Sequence, residues 1–209
     1  MSVLVRNVLL SDDNVVSVLP AMLNDPLIRA ALVSRLRNAY PQPKAVIEEL
    51  RIHNGNAIAD VVAIHREAHC YEIKGDGDKV ERIAQQGVYY NLAFRKVTLV
   101  TTSKHMSKAI KIAPDHWGVL EAKCNSKGVV VFKPVRQALK NPSFDKQVAL
   151  LTLWRDELFD IASKIEEKVQ AKINRNALSF LISQAYGTQE LSLTIGQALV
   201  LRSLIKHQA

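Results

Sequence analysis

From residue 24 onward the apolar positions recur first with a helical period and then with a strand period. In "NDPLIRAALVSRLRNAY" the residues Leu27, Ala30, Ala31 and Leu36 repeat behind an Asn24 or Asp25 cap, with Pro26 in the first turn, which predicts an amphipathic helix. "PQPK" breaks it. "AVIEELRI" and "AIADVVAI" are short apolar runs on either side of the turn signal "HNGN" and predict a hairpin. A third strand, "HCYEIK", follows "HREA"; the glycines and aspartates of "GDGDK" end it and cap the helix "KVERIAQQGVYYNLAF". "KVTLVTT" has the continuous apolar character of a buried strand, "SKHMSKAIKIA" predicts a helix begun by a Ser103 cap, and "WGVLEA" and "GVVVFK" predict two further strands.

This order describes a mixed central β-sheet flanked by helices, an α/β or α+β architecture. Beyond about residue 143 the strand signal ends. "DKQVALLTLWRDELFDIASKIEEKV", "INRNALSFLISQAYG" and "TQELSLTIGQALVLRSLI" carry helical periodicity alone. The expected organisation is an α/β domain over residues 1–142, with residues 1–23 as an N-terminal extension, and a C-terminal helical region over 143–209 packed on that core. No repeat, low-complexity tract or long linker separates them.

Composition narrows the function classes. The 209 residues include 28 basic and 20 acidic side chains, a net charge of +8, which suits a polyanionic partner and equally a solubility device. Aromatic residues make up only 6% of the chain, too few for an obvious base-stacking platform, so contacts to backbone phosphates are the expected use of the basic residues. No apolar run reaches the length of a membrane span, and "MSVLVRNVLLSDDN" is interrupted by Arg6 and Asn7, so the expectation is a cytoplasmic protein without a membrane partner. Two cysteines, Cys70 and Cys124, without metal or disulfide spacing, fit a reducing compartment.

The chemistry concentrates in "CYEIKGDGD". On a strand, Glu72 and Lys74 project to one side while Tyr71 and Ile73 project to the other, so the acid and the base form one site. The same spacing recurs in Glu121-Ala122-Lys123 and Glu166-Glu167-Lys168. The latter is predicted helical, where such a pair diverges, and Glu121 is predicted to follow a strand end. Asp60, between apolar neighbours in "AIADVVAI", is costly to desolvate without a partner. Antiparallel pairing through "HREA" brings it beside Glu72, and two adjacent carboxylates repel unless a proton or a cation lies between them. Oxygen ligands with room for water suit Mg²⁺, with Lys74 near the water it would activate.

In this arrangement the chain resembles the PD-(D/E)xK nuclease superfamily, through "AD" at 59–60, "EIK" at 72–74 and an upstream acid in "EEL". Ala59 stands where the motif has proline. The "QGVYY" segment, with Gln86 and Tyr90 four apart, is similar to the Q-x-x-x-Y element of the RecB-like branch, and residues 25 to 160, including "HWGVL" and "LWRDE", are similar to small bacterial and phage-associated members. The resemblance implies a restriction-endonuclease-like core and a Mg²⁺-dependent nuclease, with Mn²⁺ as a substitute, that hydrolyses phosphodiesters, DNA ahead of RNA. By the same resemblance Asp60, Glu72, Glu49 and the Ile73 carbonyl bind metal, with Glu48 as the fallback for Glu49. Lys74 acts on the water, and Gln86 and Tyr90 position substrate, joined by Lys79 and Arg82 at phosphates. The alternative, from another class, is a silent nucleic-acid- or partner-binding module with the same fold that regulates a mobile-element or defence system. A homodimer and a protein partner on the C-terminal helices are both open at this stage.

Plainer readings stand beside these. Glu72 and Lys74 are also what a salt bridge on a solvated sheet face would use. Gln86 and Tyr90 also suit a helix packing on the sheet, and Lys79 and Arg82 a solvated first turn. Asp76 and Asp78 fit a turn and a cap better than ligands. His65 and His69 have helical zinc spacing but flank a predicted hairpin turn. Trp117 and Trp154 suit core or interdomain packing, and Arg155 an ion pair with Asp156 or Glu157.

Overall fold

A computed structural model describes residues 22–166 and 168–206, the side chain of Lys206 excepted. Apart from Met22 and Leu23, the N-terminal extension, with its interrupted apolar patch, lies outside the described residues, as does Glu167. Among those described, seven α-helices and six strands form a mixed α/β fold. In chain order they are α1 (Asp25–Arg37), β1 (Ala45–Ile52), β2 (Ala57–Ile64), β3 (Ala68–Lys74), α2 (Ile83–Ala93), β4 (Lys96–Thr102), α3 (Met106–Ile112), β5 (Gly118–Cys124), β6 (Val130–Arg136), α4 (Lys146–Leu150), α5 (Arg155–Ala162), α6 (Arg175–Ala185) and α7 (Thr188–Lys206).

The strands lie in sequence order in one sheet. The β1–β2 and β2–β3 pairs are antiparallel, β3–β4 and β4–β5 are parallel, and β5–β6 is antiparallel again. Each parallel pair needs a crossover, and two right-handed crossovers that step in the same direction place α2 and α3 on the same face. Helices α4 to α7 share that face. Ala149, Leu150, Leu158, Leu178, Ile182, Leu191 and Leu199 belong to one apolar cluster with Val97, Leu99 and Trp117 of the α/β unit. The C-terminal helices are therefore part of the main core.

The opposite face is covered by α1. Its buried residues Ile28, Leu32 and Leu36 are four apart and pack with Val61, Ala63, Ile73, Val100 and Ala122. This face is rotated from the expected one, because the larger side chains take the contact, leaving Ala30 exposed and Leu27 half-buried. Asn24 is the cap, accepting from the Leu27 amide at 3.1 Å.

Three other expectations need correction. Ser103 does not cap α3, which starts at Met106 without a side-chain cap; its hydroxyl donates to Glu121 at 2.8 Å. Glu121 lies within β5, opposite Lys133, and also pairs with Lys123 at 2.9 Å. Glu166 and Lys168 lie beyond the end of α5. Ile165, Val169 and Ile173 still pack on the core there, so a helix-like apolar spacing is satisfied by an irregular segment.

Candidate functional site

The regular alternation of β1 and β2 reverses at one place. In β2, Ala57 and Ala59 belong to the cluster on the α2 side, as do Val62 and Ile64, while Val61 and Ala63 belong to the α1 side. In β1, Ala45 and Ile47 pack on the α2 side and Val46 on the α1 side, yet Leu50 and Ile52 return to the α2 side. The reversal falls on Glu49 and Asp60. These residues would face each other in register but are absent from the ladder between Glu48–Val61 and Leu50–Ala59. Glu49 has a φ of 53°, a left-handed conformation that a non-glycine residue adopts at a cost.

The irregularity also parts β2 from β3. Their pairing ends at Val61–Tyr71, although β3 runs on to Lys74. There the Asp60 carboxylate substitutes for a backbone partner: its Oδ2 accepts from the Ile73 amide at 2.7 Å. Glu72, next along β3, is only 1% exposed, and Lys74 is 8% exposed. The Lys74 ammonium donates to Glu72 Oε1 at 2.5 Å, so this pair is a buried one and not a salt bridge on a solvated face. Glu72 Oε2 is buried with no hydrogen-bond partner. Burial, and then the charge of Glu72, push the Asp60 carboxyl up to about 7.

Arg29, on α1, joins this group without any motif to announce it. Its guanidinium contacts Asp25 at 3.0 Å, Glu49 at 2.9 Å and Asp60 at 3.2 Å. The i,i+4 spacing of Asp25 and Arg29 was visible in the sequence; the reach to Glu49 and Asp60 was not. Glu49 thus turns to Arg29 with its side chain mostly exposed, while Glu48 is exposed on the same strand.

The helix α2 lies over the site. Tyr90 is fully buried and its hydroxyl donates to the Ile58 carbonyl at 2.9 Å; burial and the nearby charge of Glu72 raise its pKa far above that of an ordinary phenol. The Gln86 Oε1 is buried without a partner. Trp117, wholly buried, donates to Asn91 at 2.7 Å and lies against Gly87, where an added Cβ would come within 3.2 Å of the indole. Lys79 and Arg82 are exposed at the start of this segment, outside the buried group.

The turn after β3 is structural. Gly75 passes so close to the chain before α1 that a Cβ would lie 2.7 Å from the Leu23 carbonyl oxygen. Asp76 accepts from the Leu23 amide at 2.8 Å and the Thr102 hydroxyl at 2.6 Å, and Asp78 accepts from the Gly75 amide at 2.7 Å. His69 is bonded to Thr98 at 2.8 Å and stacked on Tyr71, and burial lowers its pKa to about 3. Of the tryptophans, Trp117 is in the core, whereas Trp154 is 53% exposed. Arg155 pairs with Asp156 at 3.5 Å, and Glu157 instead holds Arg202.

Among the described residues no group of three or more His, Cys, Asp and Glu side chains is placed to hold a metal ion. Mg²⁺ usually takes one or two carboxylates and leaves its other positions to water and phosphate. The Asp60–Glu72 pair, with the orphaned Glu72 Oε2, fits that smaller requirement.

Fold and site together define a mixed α/β protein in which a part-buried Asp60 lies beside a buried Glu72–Lys74 pair where β2 parts from β3. The chain belongs to the family of bacteriophage P4 protein cII, whose pattern matches residues 20–201. It is 26% identical over 164 residues to "Protein cII" of Enterobacteria phage P4, across 78% of this chain and 62% of that protein, so the matched region leaves over a third of the relative uncovered. No solved structure matches the chain. No helix among the described residues is long and apolar enough to cross a membrane.

Proposed function

We propose that the protein is a metal-dependent nuclease with a restriction-endonuclease-like core, acting on a phosphodiester, with DNA ahead of RNA as substrate. The observation that carries this reading is the convergence of Asp60, Glu72 and Lys74 where β2 parts from β3, with Glu72 Oε2 buried and unpartnered. Such a group is costly to keep, and sites that keep one repay the cost through binding or chemistry. The strand order, with an antiparallel hairpin followed by a parallel crossover over the site, supports the same reading.

Asp60 and Glu72 would hold Mg²⁺ or Mn²⁺, which supplies electrostatic stabilisation of the phosphate and lowers the pKa of water. Lys74, fixed against Glu72, orients the attacking water and offsets the charge that builds on the phosphate. Tyr90 and Gln86 wall the site from the α2 side and exclude bulk solvent. Lys79 and Arg82, exposed at the start of the α2 segment, would meet phosphate. Glu49 is a positioning residue in this scheme, acting through Arg29 on Asp60.

Arg29 favours a second reading. A guanidinium that already satisfies Asp25, Glu49 and Asp60 suits a nuclease-like fold that binds nucleic acid or a partner protein without cutting, in a mobile-element or defence setting. A cleavage panel of linear duplex, single strand, flap, four-way junction and structured RNA separates the two. With Mg²⁺ or Mn²⁺ the nuclease reading expects cutting that is lost in Asp60→Ala, Glu72→Gln and Lys74→Ala. Absence of cutting by the wild type, with equal binding by all four proteins, overturns it in favour of the silent module.

A further inference from the structure

A second feature begins at the outer edge of this site and extends away from it. A cleft of about 560 Å³ follows the unpaired edge of β1, with Glu49 among its lining residues and Arg37, Arg51, Arg175, Arg202 and Trp154 along it. Its far wall comes from the break between α4 and α5 and from the two following helices. Glu49 shares Arg29 with Asp60, so the cleft ends at a residue linked through one guanidinium to the acidic group.

The cleft keeps an excess of positive charge: four arginines face two lining acids, Glu48 and Glu49, and Glu49 is taken up by Arg29. Arg37 and Arg51 are exposed, and among the described residues neither guanidinium has a carboxylate partner. Arg175 donates through Nη2 to the carbonyls of Leu151 and Leu153, both at 2.6 Å, and its Nε has no acceptor. Neutral carbonyls orient this guanidinium without neutralising it. Arg202 alone is paired, held by Glu157 and by the Thr152 carbonyl at 3.2 Å. So fixed, its guanidinium lies 4.3 Å from the centroid of the Trp154 ring and holds the half-exposed indole in place.

We propose that this cleft is a channel for single-stranded nucleic acid that leads to the Asp60–Glu72 site. The three guanidiniums without a carboxylate partner bind phosphates, and the Trp154 indole stacks on an unpaired base. The cleft has the size of a pocket that encloses a drug-sized molecule, the scale of a dinucleotide and well short of a duplex. Along a duplex the base faces are stacked on one another and closed to a tryptophan. An acidic peptide added to the β1 edge would use the arginines but has no call on a fixed indole. The inference rests on the nuclease reading for the direction of the strand, and names the strand state of its substrate.

The test is made with the full chain in EDTA, so that binding is read apart from cutting. Probes are a labelled oligothymidylate, a loop-free two-strand duplex of the same length and a glutamate-rich peptide, followed by anisotropy and by quenching of tryptophan fluorescence. The oligothymidylate is expected to bind at least tenfold more tightly than the duplex and to quench fluorescence. Trp154→Ala should lose about tenfold or more of that affinity and the quenching, and Trp154→Phe should recover part of the affinity. The double variant Arg37→Ala/Arg51→Ala, altered only at exposed positions, should bind more weakly and lower the salt slope by more than one. Equal binding of duplex, preference for the peptide, or wild-type binding by all three variants overturns the channel. Binding as expected with no cutting in Mg²⁺ upholds the channel and removes the nuclease reading; cutting that is indifferent to Trp154 does the reverse.

Discussion

Replacing Asp60 by asparagine should stabilise the metal-free protein, and the gain should grow with pH. Folding pushes the Asp60 carboxyl up to about 7 from an ordinary value of 3.8. Burial is the largest cause, followed by the charge of Glu72, with Asp25 adding a smaller contribution; the Ile73 amide and Lys74 oppose them. A carboxyl whose pKa is raised on folding holds its proton more tightly in the folded state. Its stabilising contribution is complete below about pH 4 and is lost as the pH rises to about 7. The rise from 3.8 to about 7 corresponds to about 4 kcal/mol at pH 8. The asparagine oxygen can still accept from the Ile73 amide, but its NH₂ cannot replace the acceptor facing Arg29, a loss of about 2 kcal/mol. The net gain at pH 8 is then about 2 kcal/mol. Denaturant melts of both proteins in EDTA from pH 5 to 8 provide the assay, since titrations common to the two cancel in the difference. The stability gap should widen by about 2–3 kcal/mol in favour of the variant across that range. A gap that is constant with pH, or a variant less stable throughout, would show that Arg29 keeps Asp60 ionised and would refute the reasoning.

Arg29→Met removes the cation that occupies three carboxylates, so Mn²⁺ binding measured by electron paramagnetic resonance should tighten by about tenfold; weaker binding would mean that Arg29 organises the acids for metal instead of competing with it. Gly75→Ala places a methyl against the Leu23–Asp25 backbone and should cost about 2–3 kcal/mol in urea unfolding. Glu49→Gly relieves the left-handed conformation and should raise stability by about 1 kcal/mol, offset in part by the exposed contact with Arg29 that it gives up.

The sequence by itself determined the elements whose signals are local. The β1–β2 hairpin lies where its apolar runs and the Pro, Gly and Asn around them placed it, and β4 lies on its own continuous apolar run, because both signals are carried within a few residues. The common side of Glu72 and Lys74 follows from a period of two, and the approach of Asp60 to Glu72 from a short antiparallel connection. Tertiary structure decided what depends on distant partners. Arg29 reaches Glu49 and Asp60 across 20 and 31 residues of chain, a juxtaposition that no local pattern encodes. The reversal at Glu49 and Asp60 breaks the alternation from which strand faces are read, so its position could not be read from that same alternation. Glu121 lies inside β5, and α5 ends at Ala162, because strand pairing and core contacts override a local apolar spacing. The Trp154–Arg202 contact joins segments almost fifty residues apart, and only the packing of α7 across the core brings them to one cleft.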